Sequence, residues 1–336
     1  MERKKQQALP KKGKEPENAH DKSRRPQTGN GGAVSPHQRM GGQKSDERGG
    51  AQTSPVGISR KAVPFEEDVF FSYAERAFIE NGIPTDLYFS EGQKARYAAF
   101  FRRLFEVNAY TNLTAIRSVP EAVVKHLIDS LTILPLLPQN AKILDVGCGG
   151  GFPSLPLAIA RPDLTIVALD STAKKIDFVN DVIASLQLRH ITAMTERAEE
   201  FAHTSARASF DCVISRAVAN MTALAEITLP FVRKNGFVLA MKGPGGREEL
   251  DAAGKMIQTL GGDLSQTTVH PLSLHFPKMD LTENEALNGK MNEKTMSSHE
   301  NEERILLKIP KVKETPDHYP RPWAQILKSV GNGSGN

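Results

Sequence analysis

The stretch Asp145-Val-Gly-Cys-Gly-Gly-Gly-Phe-Pro153 pairs an apolar lead-in with a run of glycines, the composition of a strand that breaks into a tight loop and re-enters a helix. Gly147, Gly149 and Gly151 tolerate positive φ and close backbone approach, which suits a loop wrapped around a nucleotide-like ligand. The spacing is G-x-G-x-G, and the third glycine of a dinucleotide fingerprint falls on Phe152, which counts against a nicotinamide dinucleotide. Asp145 precedes the loop, and Asp170 closes the next apolar run. An acid there fits an adenosyl ligand whose ribose hydroxyls need a carboxylate acceptor. Arg216 and Lys242 end two further apolar runs, and paired cations at strand ends suit an anionic polymer better than a small neutral substrate. No Ser-His-Asp spacing, His-Glu-x-x-His pair or P-loop lysine is present, so hydrolase, zinc protease and P-loop readings have no support. The only two cysteines, Cys148 and Cys212, are too few for a metal framework and read as reduced packing residues; no metal is expected.

The elements that must position these residues follow from periodicity. Strands are predicted at 142–146, 165–170, 190–195, 210–215, 237–242, 267–276 and 304–312, with a helix after each of the first five and an antiparallel hairpin at the close. Strands alternating with helices argue for a seven-stranded, mostly parallel α/β sheet covered on both faces, whose ligands bind beyond the carboxyl ends of the strands. Those ends carry the glycine loop, Asp170, the group Glu196, Arg197, Ala198 and Glu199, then Arg216 and Lys242. Upstream, Ser90 and Gln93 form a capping box. Tyr97, Phe100, Phe101, Leu104 and Phe105 recur at helical spacing, predicting a helix over 91–107 whose aromatics are core. A polar connection follows, and Pro120 then opens a second helix with Val123, Val124, Leu127, Ile128 and Leu131 inward. By spacing alone, His126, Asp129 and Ser130 fall on its opposite, solvated face.

Composition bounds the rest. The chain has 336 residues, 39% of them hydrophobic, enough for one good core with length to spare. Residues 1–64 hold 14 Lys and Arg against 6 Asp and Glu, a net of +8. Set against +4 for the whole chain, that leaves −4 on everything after them. With almost no aliphatic residues, this segment is expected to be a disordered basic tail, either a solubilising extension or an arm that adds salt-sensitive affinity for phosphate backbones. Residues 277–303 lack any periodic pattern and read as a long mobile loop within the closing hairpin. No stretch approaches eighteen apolar residues and no apolar h-region follows the charged start. Neither a membrane span nor a secretory signal is expected, and the expected location is cytoplasmic.

Five motifs together resemble a known family. They are Tyr110-Thr-Asn-Leu-Thr-Ala-Ile-Arg117, Lys125-His-Leu-Ile-Asp-Ser130, the loop 145–153, Arg197-Ala-Glu-Glu-Phe201 and Val213-Ile-Ser-Arg-Ala217. Their order and spacing resemble the bacterial GidB, or RsmG, family over roughly residues 89–312, and 315–321 resembles a C-terminal motif found in part of it. The resemblance implies a Rossmann-like class I methyltransferase dependent on S-adenosylmethionine, acting on N7 of a guanine in 16S ribosomal RNA of the small subunit. Neither the tail at 1–64 nor the segment at 277–303 has a counterpart in that family; the expected organisation is the tail 1–64, N-terminal helices at 65–140, a methyltransferase domain at 141–313 and an extension at 314–336. The resemblance places cofactor contacts on Gly147, Phe152, Ala198, Glu199 and Arg216, alongside Gly149, Gly151 and Asp170, with Ala198 and Glu199 framing the adenine. Phe152 stands where the family's pattern has leucine. Substrate contacts are expected at Asn112, Arg117, His126 and Asp129, and at Lys242. Guanine N7 has a free lone pair, so no general base is expected. Two rival readings are a dehydrogenase, opposed by the glycine spacing, and a non-catalytic RNA-binding protein, which leaves the glycine loop and Asp170 unexplained.

Overall fold

The computed structural model describes residues 65–278 and 301–331; the expected tail at 1–64 and most of the expected loop at 277–303 lie outside them. Five parallel strands, β1 (Lys142–Val146), β2 (Thr165–Asp170), β3 (Ile191–Thr195), β4 (Phe210–Arg216) and β5 (Val232–Lys242), join an antiparallel pair, β6 (Thr268–Leu274) and β7 (Glu302–Pro310). The sheet order is β3-β2-β1-β4-β5-β7-β6. The chain winds outward from β1 to β3 and then crosses back to β4 beside β1. The carboxyl ends of β1 and β4 therefore flank the switch point at which open α/β sheets bind ligands. Pro271 cannot donate to a ladder, and β6 is an edge strand, where this costs nothing.

Alternation sets the two faces. Ile143, Ile166, Ile214 and Leu239 join one buried cluster while Leu144, Leu169, Val213 and Val238 join the other, so both faces are covered. Cys148 and Cys212 are buried free thiols within the first cluster. β5 begins at Val232, five residues before the expected start, because the pairing shifts between Phe210 and Cys212 and lets the polar run Arg233–Gly236 bulge outward.

The first face is closed by helices α1 (Glu67–Glu80), α2 (Thr85–Tyr88) and α3 (Glu91–Thr111). The Gln93 carbonyl accepts from the backbone N–H and the hydroxyl of Ser90, starting α3, and its apolar stripe buries Tyr97, Phe100, Phe101, Leu104 and Phe105. Each such side chain contributes about 1.5–3 kcal/mol when removed from water. α3 runs four residues beyond the expected end, to Thr111, where Asn112 at φ 56 caps it in the left-handed conformation. Asn108, which resembles a loop residue in sequence, is buried inside the helix because its amide exchanges two 3.0 Å hydrogen bonds with the backbone of Thr114.

The second predicted helix begins as α4 (Val119–Ala122), with Ser118 accepting from Glu121 N–H and Pro120 in the first turn. It then widens into a π-helical turn at Val123–Ile128 before α5 (Asp129–Leu131). Val123, Val124, Leu127, Ile128 and Leu131 are buried as expected. His126, Asp129 and Ser130 are buried as well, so the solvated face anticipated from 3.6-residue spacing does not exist. The π turn breaks that spacing, and charged residues from β4 and β7 cover the face. The remaining helices are α6 (Ser154–Ala160), α7 (Ala173–Ser185), α8 (Ala198–Phe201), α9 (Met221–Thr228), α10 (Gly246–Thr259) and α11 (Trp323–Gly331); the first five of these follow β1 to β5 in turn.

Candidate active site

Two cavities open at the carboxyl ends of the strands. The first, about 370 Å³, is lined by Gly147 after β1, Asp170 at the end of β2, Lys175 in α7, Ala198 and Glu199 in α8, and Ala217 and Val218 after β4. Gly147 has φ 79, and a Cβ built on it would lie 2.3 Å from Val218 Cγ2, so glycine is required on both steric and conformational grounds. The loop's amides are taken up by the end of β2 and by the loop itself: Gly147 and Cys148 donate to Leu169 O, Gly149 to Asp170 Oδ2 at 3.0 Å, and Gly151 and Phe152 to Cys148 O. These amides thus fix the loop's shape. Asp170 also accepts from Thr172 N–H at 2.9 Å and lies 3.6 Å from Lys175 Nζ. Each of its oxygens retains a further lone pair for a hydroxyl donor. The size, the acid with acceptor capacity and the glycine cradle fit an adenosyl ligand. Below the loop, Asp145 is fully buried, with Ser154 Oγ donating to Oδ2 at 2.5 Å; burial pushes its carboxyl up to about 7.

The second cavity, about 640 Å³, is lined by Lys125, His126, Asp129, Arg216, Lys242 and Arg304, among others, and shares Ala217 and Val218 with the first. Ala217 has φ 54, a left-handed conformation that is costly for alanine and characteristic of functional sites. Arg216 is the hub. Its Nη1 donates to Asp129 Oδ2 at 3.0 Å and to Lys125 O at 2.9 Å, its Nη2 approaches His126 Nδ1 at 3.3 Å, and its guanidinium lies 5.4 Å from the Phe152 ring centre. Arginine has no acceptor, so His126 Nδ1 must accept, and the imidazole proton sits on Nε2, 2.8 Å from Thr114 Oγ1. Burial, and secondarily the Arg216 charge, hold His126 down at about 3, so it is neutral at physiological pH. Its ring stacks on Phe152 at 4.2 Å. Lys242 Nζ donates to Ala219 O at 2.6 Å and Glu249 Oε2 at 2.8 Å, which ties down the loop after β4.

The sequence-derived site residues therefore divide. Gly147, Asp170, Ala198 and Glu199 meet in the first cavity; His126, Asp129 and Lys242 meet in the second. Arg216, expected at the cofactor, lies in the second cavity, and Phe152 packs beneath it, 4% exposed, against His126, Phe100 and Phe101. Gly149 and Gly151, also expected at the cofactor, line neither cavity; a Cβ on Gly151 would meet Leu155 Cδ1 at 2.4 Å, whereas one on Gly149 would meet nothing within 4 Å. Asn112 and Arg117 line neither cavity: Asn112 caps α3, and Arg117 donates to the carbonyls of Thr114 and Ile116. Sequence reasoning missed Lys175, Val218 and Arg304. Val218 directly follows the Ser-Arg-Ala motif, whereas Arg304 carries no local signal and reaches the site because β7 pairs with β5.

A doubly wound sheet with a glycine loop after its first strand and an acid closing its second is the fold of Rossmann-like class I methyltransferases that use S-adenosylmethionine. Residues 93–274 match the GidB family model, described as rRNA small subunit methyltransferase G. A ribosomal RNA small subunit methyltransferase G from Desulforamulus reducens is 38% identical over 235 residues, covering 69% of this chain and 88% of that protein. Its counterpart from Lachnoclostridium phytofermentans is 38% identical over 239 residues, covering 70% and 88%. That from Lactobacillus acidophilus is 36% identical over 237 residues, covering 69% and 88%. The chain belongs to the GidB family. Among the described residues, no helix is long and apolar enough to cross a membrane.

Proposed function

We propose that this chain methylates N7 of a guanine in 16S ribosomal RNA, with S-adenosylmethionine in the first cavity and the guanine in the second. The observation that carries this assignment is the shared wall: Ala217 and Val218 belong to both cavities, so ligands in the two meet there. When bound, S-adenosylmethionine supplies a methyl on cationic sulfur; the N7 lone pair forms the new C–N bond as the C–S pair returns to sulfur. The residues of the chain supply position. Asp170 accepts from the ribose, Ala198 and Glu199 border the adenine, and Gly147 lets the backbone approach. In the second cavity Lys125, Arg216, Lys242 and Arg304 outnumber the carboxylates of Asp129 and Glu249, which favours a polyanion and a nucleotide drawn out of its RNA context. Holding N7, methyl carbon and sulfur in line is the main source of rate.

The test is to incubate the chain with methyl-labelled S-adenosylmethionine and RNA or small subunits from a strain lacking the gene. The expected product is a single N7-methylguanosine in 16S RNA, located by nucleoside mass spectrometry and mapping. Absence of label from both naked RNA and assembled subunits would overturn the proposal.

A further inference from the structure

The segment after β7 lies beyond the span matched by the family model, yet its Trp323 lines the first cavity. Trp323 packs against the apolar cluster that contains Ala198 of α8 and Ile227 of α9, both of which also line that cavity. The segment is firmly held. Arg321 makes a two-pronged contact with the fully buried Glu226, Nε to Oε1 at 2.8 Å and Nη2 to Oε2 at 2.7 Å, and its backbone N–H donates to the same carboxylate. Arg207 donates to the carbonyls of Thr315, Pro316 and Tyr319, and Ile326 of α11 is completely buried in the same apolar cluster as α9. These bonds fix residues 315–326 against α9 and the connection between α8 and β4, and Trp323 sits between two anchors, Arg321 and Ile326. A rigidly mounted indole on the wall of a cavity that is otherwise rich in polar side chains has a ready physical use, stacking on a flat heteroaromatic ring.

We propose that the C-terminal segment completes the cofactor pocket, with the Trp323 indole as the apolar wall for the adenine of S-adenosylmethionine. The inference rests on the assignment of the first cavity to that cofactor and adds a positioning residue outside the family's matched span. It implies reciprocal coupling: a ligand that stacks on Trp323 stabilises the docked segment, and the docked segment tightens the ligand.

Trp323 is the only tryptophan in the chain, so tryptophan emission reports this site alone. Titration of the full chain with S-adenosylhomocysteine should change that emission with the same dissociation constant that calorimetry gives; adenosine should change it too, and methionine should not. Trp323→Ala should weaken S-adenosylhomocysteine roughly 5- to 100-fold by calorimetry, the range for loss of one base–aromatic stack, while Trp323→Phe should recover most of the affinity. If calorimetry shows binding to the wild-type chain but its emission does not respond and Trp323→Ala stays within about twofold, the indole is not the adenine wall. If the wild-type chain binds no S-adenosylhomocysteine at all, the assignment of the cavity falls, and this proposal with it.

Discussion

Asp129 is where the second cavity can be tested most directly, because one carboxylate there serves two arginines. It is 3% exposed; Oδ2 accepts from Arg216 at 3.0 Å, and Oδ1 lies 3.3 Å from Arg304 Nε, an ion-pair contact without hydrogen-bond geometry. Asp129→Ala leaves two guanidinium groups facing each other without their shared counter-charge. Breaking a buried pair from one side costs about 3–5 kcal/mol. The arginine side chains are 16% and 21% exposed, so water recovers part of that loss, and ~2–3 kcal/mol is the expected destabilisation. For a folded region of this size each kcal/mol moves the melting temperature by ~2–4 °C, which gives a drop of ~5–10 °C by calorimetry. Arg216 keeps Lys125 O and His126 Nδ1 as partners but loses its strongest one. Methyl transfer should therefore fall ~10- to 100-fold through misalignment. Asp129 lines only the second cavity, so S-adenosylmethionine affinity should stay within about threefold. An unchanged melting temperature with full activity would refute the clamp, and loss of cofactor affinity in step with turnover would refute the separation of the two cavities.

Asp170→Ala should weaken S-adenosylmethionine binding by about 1–3 kcal/mol, the cost of leaving the ribose hydroxyls and the Gly149 N–H without their acceptor. An unchanged calorimetric dissociation constant would place the ribose elsewhere. Gly147→Ala forces a Cβ onto Val218 at φ 79 and should lower cofactor affinity more than tenfold, with a loss of stability of about 1–2 kcal/mol from the left-handed backbone. Wild-type affinity in that variant would sink the loop assignment. His126, held down at about 3, loses its stabilising contribution as pH falls below its ordinary 6.5, whereas Asp145, pushed up to about 7, loses its own as pH rises from 3.8. Between about pH 4 and 6.5 the two slopes oppose each other, so Asp145→Asn should gain stability with rising pH by up to ~1.4 kcal/mol per unit relative to wild type; parallel denaturation profiles would contradict the assignment.

The sheet was legible because its signals are local. β1 and β2 match their predicted bounds, the glycine loop lies between β1 and α6, and the closing hairpin pairs as expected. What could not be read from local pattern depends on contacts distant in sequence. His126, Asp129 and Ser130 look like a solvated stripe because periodicity describes one helix in isolation; Arg216 and Arg304 arrive from β4 and β7 to bury them. Arg216 illustrates a different limit. The sequence places its Cα at the end of β4, between both cavities, and only the partners Asp129, Lys125 and His126 decide which way a long side chain turns. Asn108, one residue past the predicted helix end, departs from local pattern for the opposite reason. Its amide favours loops in general, but here it bonds to Thr114 and lets the helix continue through it.

The distribution of protons in the second cavity bears on which nucleophile it can serve. A reaction at an exocyclic amine needs a group that can take a proton as the new bond forms. His126 offers none: Nδ1 faces the Arg216 guanidinium, Nε2 already carries the proton, and both burial and the neighbouring charge oppose a second one. Asp129 is committed to two arginines, and Glu249 to Lys242 and the Met221 N–H. Every carboxylate or imidazole among the described lining residues is thus engaged with a donor or a cation. A nucleophile with its own unprotonated lone pair escapes that requirement. Guanine N7 is such a nucleophile, and the cations around the cavity suit the polyanion that carries it. A cavity poor in free bases and rich in fixed cations is therefore matched to methyl transfer at a ring nitrogen.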